Sequence, residues 1–273
     1  MSTAKQAHQQ DLERLKSLRY MDDDFMTVCL ADNFEGVELI LRIVLGREDI
    51  KIKSVRTQEL MKNLQGRSAV LDVHAIDSTD KEFDVEIQRK DAGAGAKRAR
   101  HNSSLLDAHI LKSGDDTEDI PDSYIIFITE NDIMKGKQPI YPVERYVTIG
   151  NNKVLFGDGS HILYVNGKYR GNDEIGRLMH DFSCTNPNDM NYEALAKKAR
   201  YFKQDEEGVA VMCKIMEDMR NEAAKEAALN NARETARRMI IDGELSLEKI
   251  ARYVPSLSMD ELKELEAEVM QLA

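Results

Sequence analysis

LDVHAIDSTDKEFDVEIQRK, residues 71–90, places two alternating runs on either side of a polar turn. Apolar and polar residues alternate through AVLDVHAI (69–76) and again through EFDVEIQR (82–89). That period of two marks half-buried strands, and the intervening DSTDK reads as a turn. Folded antiparallel about Thr79, the two runs set Leu71 against Ile87, Val73 against Val85 and Ala75 against Phe83, one apolar face. The opposite face then brings Asp72 to Glu86, His74 to Asp84 and Val70 to Gln88. Side chains so opposed have Cβ atoms about 5 Å apart, where two like charges repel by about 3 kcal/mol at an effective dielectric of ~20. Water, a shared proton, basic neighbours or a divalent cation must offset that repulsion.

Outward from this hairpin the pattern is α/β. Asn33 is placed to cap a helix over 34–45, where Val37, Ile40, Leu41, Val44 and Leu45 form a buried stripe and Gly46 supplies the C-terminal turn. A shorter helix is expected at 22–30, and IKIKSV (50–55) alternates as a strand. After Gly93 and Gly95 a helix runs through AKRARHNSSLLDAHILK to Gly114. DSYIIFIT (122–129) is continuously apolar, as expected of a strand buried on both faces. Residues 131–185 are rich in Gly, Asn, Tyr and Pro, with a hairpin expected around HILYVNGKYR (161–170). From about 191 the chain turns helical, with one long helix over 205–241 whose Val209, Met212, Met216 and Met219 form an apolar seam for core or partner-helix packing. Ser258 and Glu261 fit a capping box for the last helix. The expected organisation is a core over 20–185 and a helical region over 186–273, through which self-association is conceivable.

Composition narrows the class. Hydrophobic residues at 42% support a core, while 32% charged residues describe a soluble surface, and no apolar run reaches the roughly 18 residues a membrane span needs. Cys29, Cys184 and Cys213 are odd in number and widely spaced, which suggests reduced thiols. With the polar start MSTAKQAHQQDLERLK showing no apolar export signal, the expected compartment is the cytoplasm. The net charge of −11 is uneven: residues 205–273 hold sixteen acids against nine bases, whereas RKDAGAGAKRAR (89–100) holds five bases and one acid. Local positive charge, not net charge, decides whether a surface accepts phosphate.

Three readings of the facing acids stand open. They could be hydrated residues on a solvated sheet face, a general acid and base without metal, or ligands of a hard cation. Mg²⁺ takes oxygen donors and needs only one or two carboxylates beside water and phosphate. The backbone carbonyl of Ile87 is a further oxygen, and the basic segment that follows favours metal with a phosphate substrate.

Asp72 followed after thirteen residues by Glu86-Ile87-Gln88 resembles the D…ExQ form of the PD-(D/E)XK nuclease signature. More specifically, the chain is similar to the bacterial recombination-promoting nucleases of the transposase family. MDDDFMTVCLADNFEGVELILRIVLG resembles that family's opening segment, KRARHNSSLLDAHILKSG its R-x-R helix, and YFKQDEEGVAVMCKIMEDMRNEA its helix after the core. The likeness covers residues 20–225. It implies a restriction-endonuclease-like mixed β-sheet flanked by helices, and Mg²⁺- or Mn²⁺-dependent hydrolysis of DNA. By position, Asp72 and Glu86 would be metal ligands together with the Ile87 carbonyl, and Glu38 corresponds to an acid that assists in some members. Gln88 stands where most relatives carry a catalytic lysine; it can orient water but brings no charge. Lys90, one step further along the strand face, or Arg98 or Arg100, could supply that charge. Lys97, Arg98, Arg100 and His101 would contact the DNA backbone, although His101-Asn102 replaces the aromatic pair common after R-x-R. The rival expectation is a non-catalytic, transposase-derived module that binds DNA or protein.

Overall fold

The computed structural model describes residues 3–63, 66–111 and 114–272. Its helices are α1 (Thr3–Ser17), α2 (Asp23–Leu30), α3 (Phe34–Leu45), α4 (Ala96–Ile110), α5 (Glu174–Ser183), α6 (Glu193–Gln204), α7 (Glu206–Asp242), α8 (Leu247–Tyr253) and α9 (Met259–Leu272). Its strands are β1 (Ile52–Met61), β2 (Ala69–Asp77), β3 (Glu82–Gln88), β4 (Ser123–Thr129), β5 (Ile140–Val143), β6 (Tyr146–Ile149), β7 (Asn152–Leu155) and β8 (Ser160–Asn166). The chain divides into two compact units at Val209/Ala210, so α6, which the sequence groups with the C-terminal helices, belongs to the first. Among the described residues no helix is long and apolar enough to cross a membrane.

The first unit is built on a six-stranded mixed sheet in the order β1-β2-β3-β4-β8-β5. β1, β2 and β3 run antiparallel, β4 and β8 continue parallel to β3, and β5 closes the edge antiparallel to β8. Parallel neighbours need a crossover, and α4 supplies it between β3 and β4. β4 is the strand buried on both faces, as its unbroken apolar run requires: Ile125 through Ile128 have no solvent exposure. On one face Ile125 and Phe127 join Leu71, Met61 and Tyr164 under Ala99, Leu105 and Leu106 of α4, and the Phe127 and Tyr164 rings stack 5.3 Å apart. Ile126 and Ile128 point the other way beside Val85, Ile87 and Val165, all buried.

Helix α3 forms as its sequence predicts. The Asn33 carboxamide oxygen accepts the Gly36 N–H at 3.0 Å, its nitrogen donates to the Cys29 carbonyl at 3.0 Å, and Gly46 ends the helix at a φ of 62°. Strand β1 runs longer than expected, through Gln58, which holds a φ of 54°. Helix α4 ends at Ile110 with Leu111 already extended; Lys112, to which the sequence reading carried it, lies outside the described residues.

The hairpin expected at 161–170 is not formed. Residues 160–166 are β8, an internal strand, and the Asn166-Gly167 turn signal ends it. Gly167 is required there by close approach, since a Cβ would sit 2.3 Å from the Thr129 carbonyl oxygen. The hairpin lies earlier, at β6–β7, closed by Gly150-Asn151 with Gly150 at a φ of 62°. It forms its own two-stranded sheet, and Tyr146, Val147, Ile149, Val154 and Leu155 along it are all exposed.

The second unit packs Ala236 of α7 against Ile250, Val254, Leu257, Leu262 and Leu265 of α8, α9 and their connection. The predicted capping box is present: the Ser258 N–H donates to Glu261 at 2.9 Å and the Glu261 N–H returns to the Ser258 hydroxyl at 3.3 Å.

Asn33→Ala removes the α3 cap and leaves a buried carbonyl unpaired. The expected loss is about 1–2 kcal/mol in urea denaturation, with unchanged denaturant slope; an unaltered midpoint would contradict the role given to this residue.

Candidate active site

Strand β3 and helix α4 build the site together. In the β3–β4 register Asp84 lies beside Ile125 and Glu86 beside Phe127, so both acids point to the face that α4 covers. Arg98 and Asn102, one helical turn apart on α4, descend onto them. Arg98 Nη2 donates to Glu86 Oε2 at 2.5 Å, and Asn102 Nδ2 lies 3.3 Å from both Glu86 Oε1 and Asp84 Oδ2. Gln88 Nε2 donates to Glu86 Oε2 at 3.3 Å. Gly93 leaves room for that amide, because a Cβ there would fall 1.9 Å from the Gln88 side-chain Oε1.

Asp72 arrives by a different route from the one its alternation implies. The β2–β3 ladder follows the expected register from Ile76↔Glu82 to Val73↔Val85. One step on, Asp72 Oδ2 accepts the Ile87 N–H at 2.9 Å, so a side chain takes the position of a ladder carbonyl. Leu71 then belongs to the core under α4 and does not face Ile87 on the opposite side as expected. The strand alternation breaks here, beside the positive φ of Gln58 on β1. A strand residue points its N–H and C=O to the same side. The Ile87 carbonyl is therefore directed toward Asp72, while Gln88 turns its own carbonyl the other way, onto the Glu130 N–H.

Burial sets the electrostatics. Asp72 is pushed up to about 6 by desolvation and by the charge of Asp23, partly offset by the Ile87 N–H. Glu86, with no solvent exposure, is pushed up to about 7 by desolvation and by Asp72, against the opposing pull of Arg98. Asp84 lies well above the ordinary carboxyl range, through desolvation and the neighbouring Glu86 and Asp72, and its Oδ1 has no partner. Three buried acids thus gather around one guanidinium, that of Arg98, with the carboxamides of Asn102 and Gln88 as neutral donors.

The other expected residues are dispersed. Strand β3 ends at Gln88, so Lys90 leaves the strand face on which the sequence placed it and becomes an exposed residue at the head of a 3₁₀ turn. Lys97, Arg98 and His101 line an open groove of about 630 Å³ with Arg67 and Asn102. Arg100 is exposed on α4. His101 is held by the Arg67 carbonyl at 3.1 Å. Glu38 lies apart, paired with Arg42 and Lys51 and accepting the Ile52 N–H, because it closes the junction of α3 and β1. The acid whose charge reaches Asp72 is Asp23, in the first turn of α2. Asp84 does not bond His74. That imidazole bridges Glu59 at 2.6 Å and Glu82 at 2.8 Å; burial opposes its charged form, yet the two carboxylates outweigh it and hold its pKa above the ordinary value.

Asn102 and Asp23 are the residues sequence reasoning passed over. Their signals were faint: Asn102 stands four residues after Arg98, and Asp23 is the middle of three consecutive acids. Among the described residues no three His, Cys, Asp or Glu side chains converge as a metal group. A cation at Asp72 and Glu86 would rest on two carboxylates, the Ile87 carbonyl and water. That all-oxygen set suits Mg²⁺ or Mn²⁺. The elevated acids and the orphaned Asp84 oxygen fit it, since each marks negative charge that the protein alone leaves incompletely matched.

Raised carboxyls bind protons more tightly in the folded chain than in the unfolded one. The contribution of Asp72 and Glu86 to the stability of metal-free protein is therefore lost as pH climbs from near 4 through about 7. Glu86→Gln is expected to flatten this fall, matching wild type at pH 4 and exceeding it at pH 8 by about 1–3 kcal/mol. Urea midpoints across that range provide the check, and parallel profiles for the two proteins would refute the assignment.

No family model, curated protein or solved structure matches the chain.

Proposed function

We propose that the chain is a divalent-metal-dependent nuclease of the PD-(D/E)XK type, linked to DNA recombination or transposition, with a restriction-endonuclease-like core. The observation that carries this reading is the approach of Asp72 to the β3 backbone at Ile87, which joins it electrostatically to the fully buried Glu86, whose partners Arg98 and Asn102 line a basic groove. An antiparallel β1–β2–β3 unit feeding a parallel β4 through α4 supports the same reading.

Asp72, Glu86 and the Ile87 carbonyl would hold Mg²⁺ or Mn²⁺. A cation bound there supplies positive charge to the scissile phosphate and acidity to the attacking water. Gln88, anchored on Glu86, orients that water. The positive charge lacking at Gln88 comes from Arg98 rather than from the outlying Lys90. Arg67 and Lys97 line the path of the phosphate backbone, and contacts of that kind position DNA without reading bases. Asn102 keeps Glu86 and Asp84 at fixed separation. The net charge of −11 and the Gln88 exchange favour a second reading, a non-catalytic nucleic-acid or protein-binding module.

Supercoiled plasmid incubated with Mg²⁺ or Mn²⁺ separates the two. Nicking that drops at least a hundredfold in both Asp72→Ala and Glu86→Ala is expected, roughly the loss that follows removal of one charge-stabilising group. Undiminished nicking in both variants would identify a contaminant, and no nicking with either metal would favour the binding module.

A further inference from the structure

We infer that Arg98 is the resident counter-cation of Glu86 and exchanges it for a substrate phosphate when a divalent cation binds, so that metal and nucleic acid bind cooperatively. The inference rests on the nuclease reading and adds an order to it.

Side chains engage both oxygens of Glu86. Oε1 accepts from Asn102, and Oε2 accepts from Arg98 and Gln88. The partners differ in freedom. Asn102 is 2% exposed and pinned beneath the helix, whereas the Arg98 side chain is 41% exposed and stands in the first turn of α4. Arg98 is therefore the partner that can leave without opening the core.

It must leave for the carboxylate to take a metal. A guanidinium at hydrogen-bond distance from Oε2 and a divalent cation on the same carboxylate would stand a few ångströms apart with like charge, in a site almost closed to water. The charge of Arg98 also acts on Asp23, Asp72 and Asp84, so its position governs the whole acidic group. Its destination is adjacent. The groove it lines carries Arg67, Lys97 and His101 and no acidic side chain among its lining residues, which makes a phosphodiester the fitting partner there. A phosphate in the groove draws Arg98 off Glu86, and a cation on Glu86 releases Arg98 toward phosphate. Such coupling is reciprocal: each ligand raises the affinity for the other by one factor.

Mn²⁺ binding to the full-length chain, followed by the electron paramagnetic resonance signal of free Mn²⁺, tests this with and without a short phosphorothioate duplex that resists cleavage. For wild type the duplex is expected to tighten Mn²⁺ binding about tenfold. Arg98→Gln should bind Mn²⁺ about tenfold more tightly than wild type without duplex, and should lose the enhancement. Arg98→Lys, which keeps charge without the planar fork, should fall between them and guards against a folding defect in the glutamine variant. Equal Mn²⁺ affinity in wild type and Arg98→Gln without duplex, or equal enhancement by duplex, would overturn the exchange while leaving the nuclease reading in place. Failure of wild type and both variants to bind Mn²⁺ under either condition would overturn both.

Discussion

The bond from the Ile87 N–H to the Asp72 carboxylate is the constraint on which the site depends. A backbone amide at that point of β3 would ordinarily be matched by a carbonyl of β2. Giving it a side chain instead satisfies the amide and anchors Asp72. It also breaks the alternation of β2, so Leu71 can join the core under α4. An acid on one strand is thereby tied to the strand that carries the other acids. Coulomb repulsion within this buried group is offset by Arg98 and Asn102 descending from α4, beside the Ile87 N–H and the Gln88 amide of β3 itself.

That arrangement explains why the crossover helix is more than a connector. Its apolar residues Ala99, Leu105 and Leu106 pack on the sheet, and its first turns deliver one charged and one neutral donor to Glu86. The two donors divide the work by exposure. Asn102, sealed from water, fixes geometry; Arg98, reaching solvent, is free to respond to what enters the groove.

Much of this was legible in the sequence because it rests on local periodicity. The α3 stripe with its Asn33 cap, the apolar run of β4, and the Val73/Val85 and Ala75/Phe83 register all follow from spacing alone. What failed did so where tertiary contact overrode a local signal. Asn166-Gly167 carries turn chemistry, yet Gly167 is there to let the chain pass against Thr129, and the true hairpin uses the less conspicuous Gly150-Asn151. The place of Lys90 followed from extending a strand past its end. Glu38 rests on the family resemblance, whereas the approach of Asp23 to Asp72 depends on how α2 meets the sheet. No spacing rule encodes that meeting.

The β6–β7 hairpin bears on how the protein behaves among its neighbours. Folded proteins usually shield strand edges with charge, proline or a covering helix. Here a two-stranded ribbon carries exposed valine, isoleucine, leucine and tyrosine with Lys153 as its only charged side chain within the strands. In crowded or concentrated solution such a ribbon offers free strand edges, beside those of β1 and β5, to strand addition by another polypeptide. The ten residues that make up this ribbon are remote in sequence from the acids of β2 and β3.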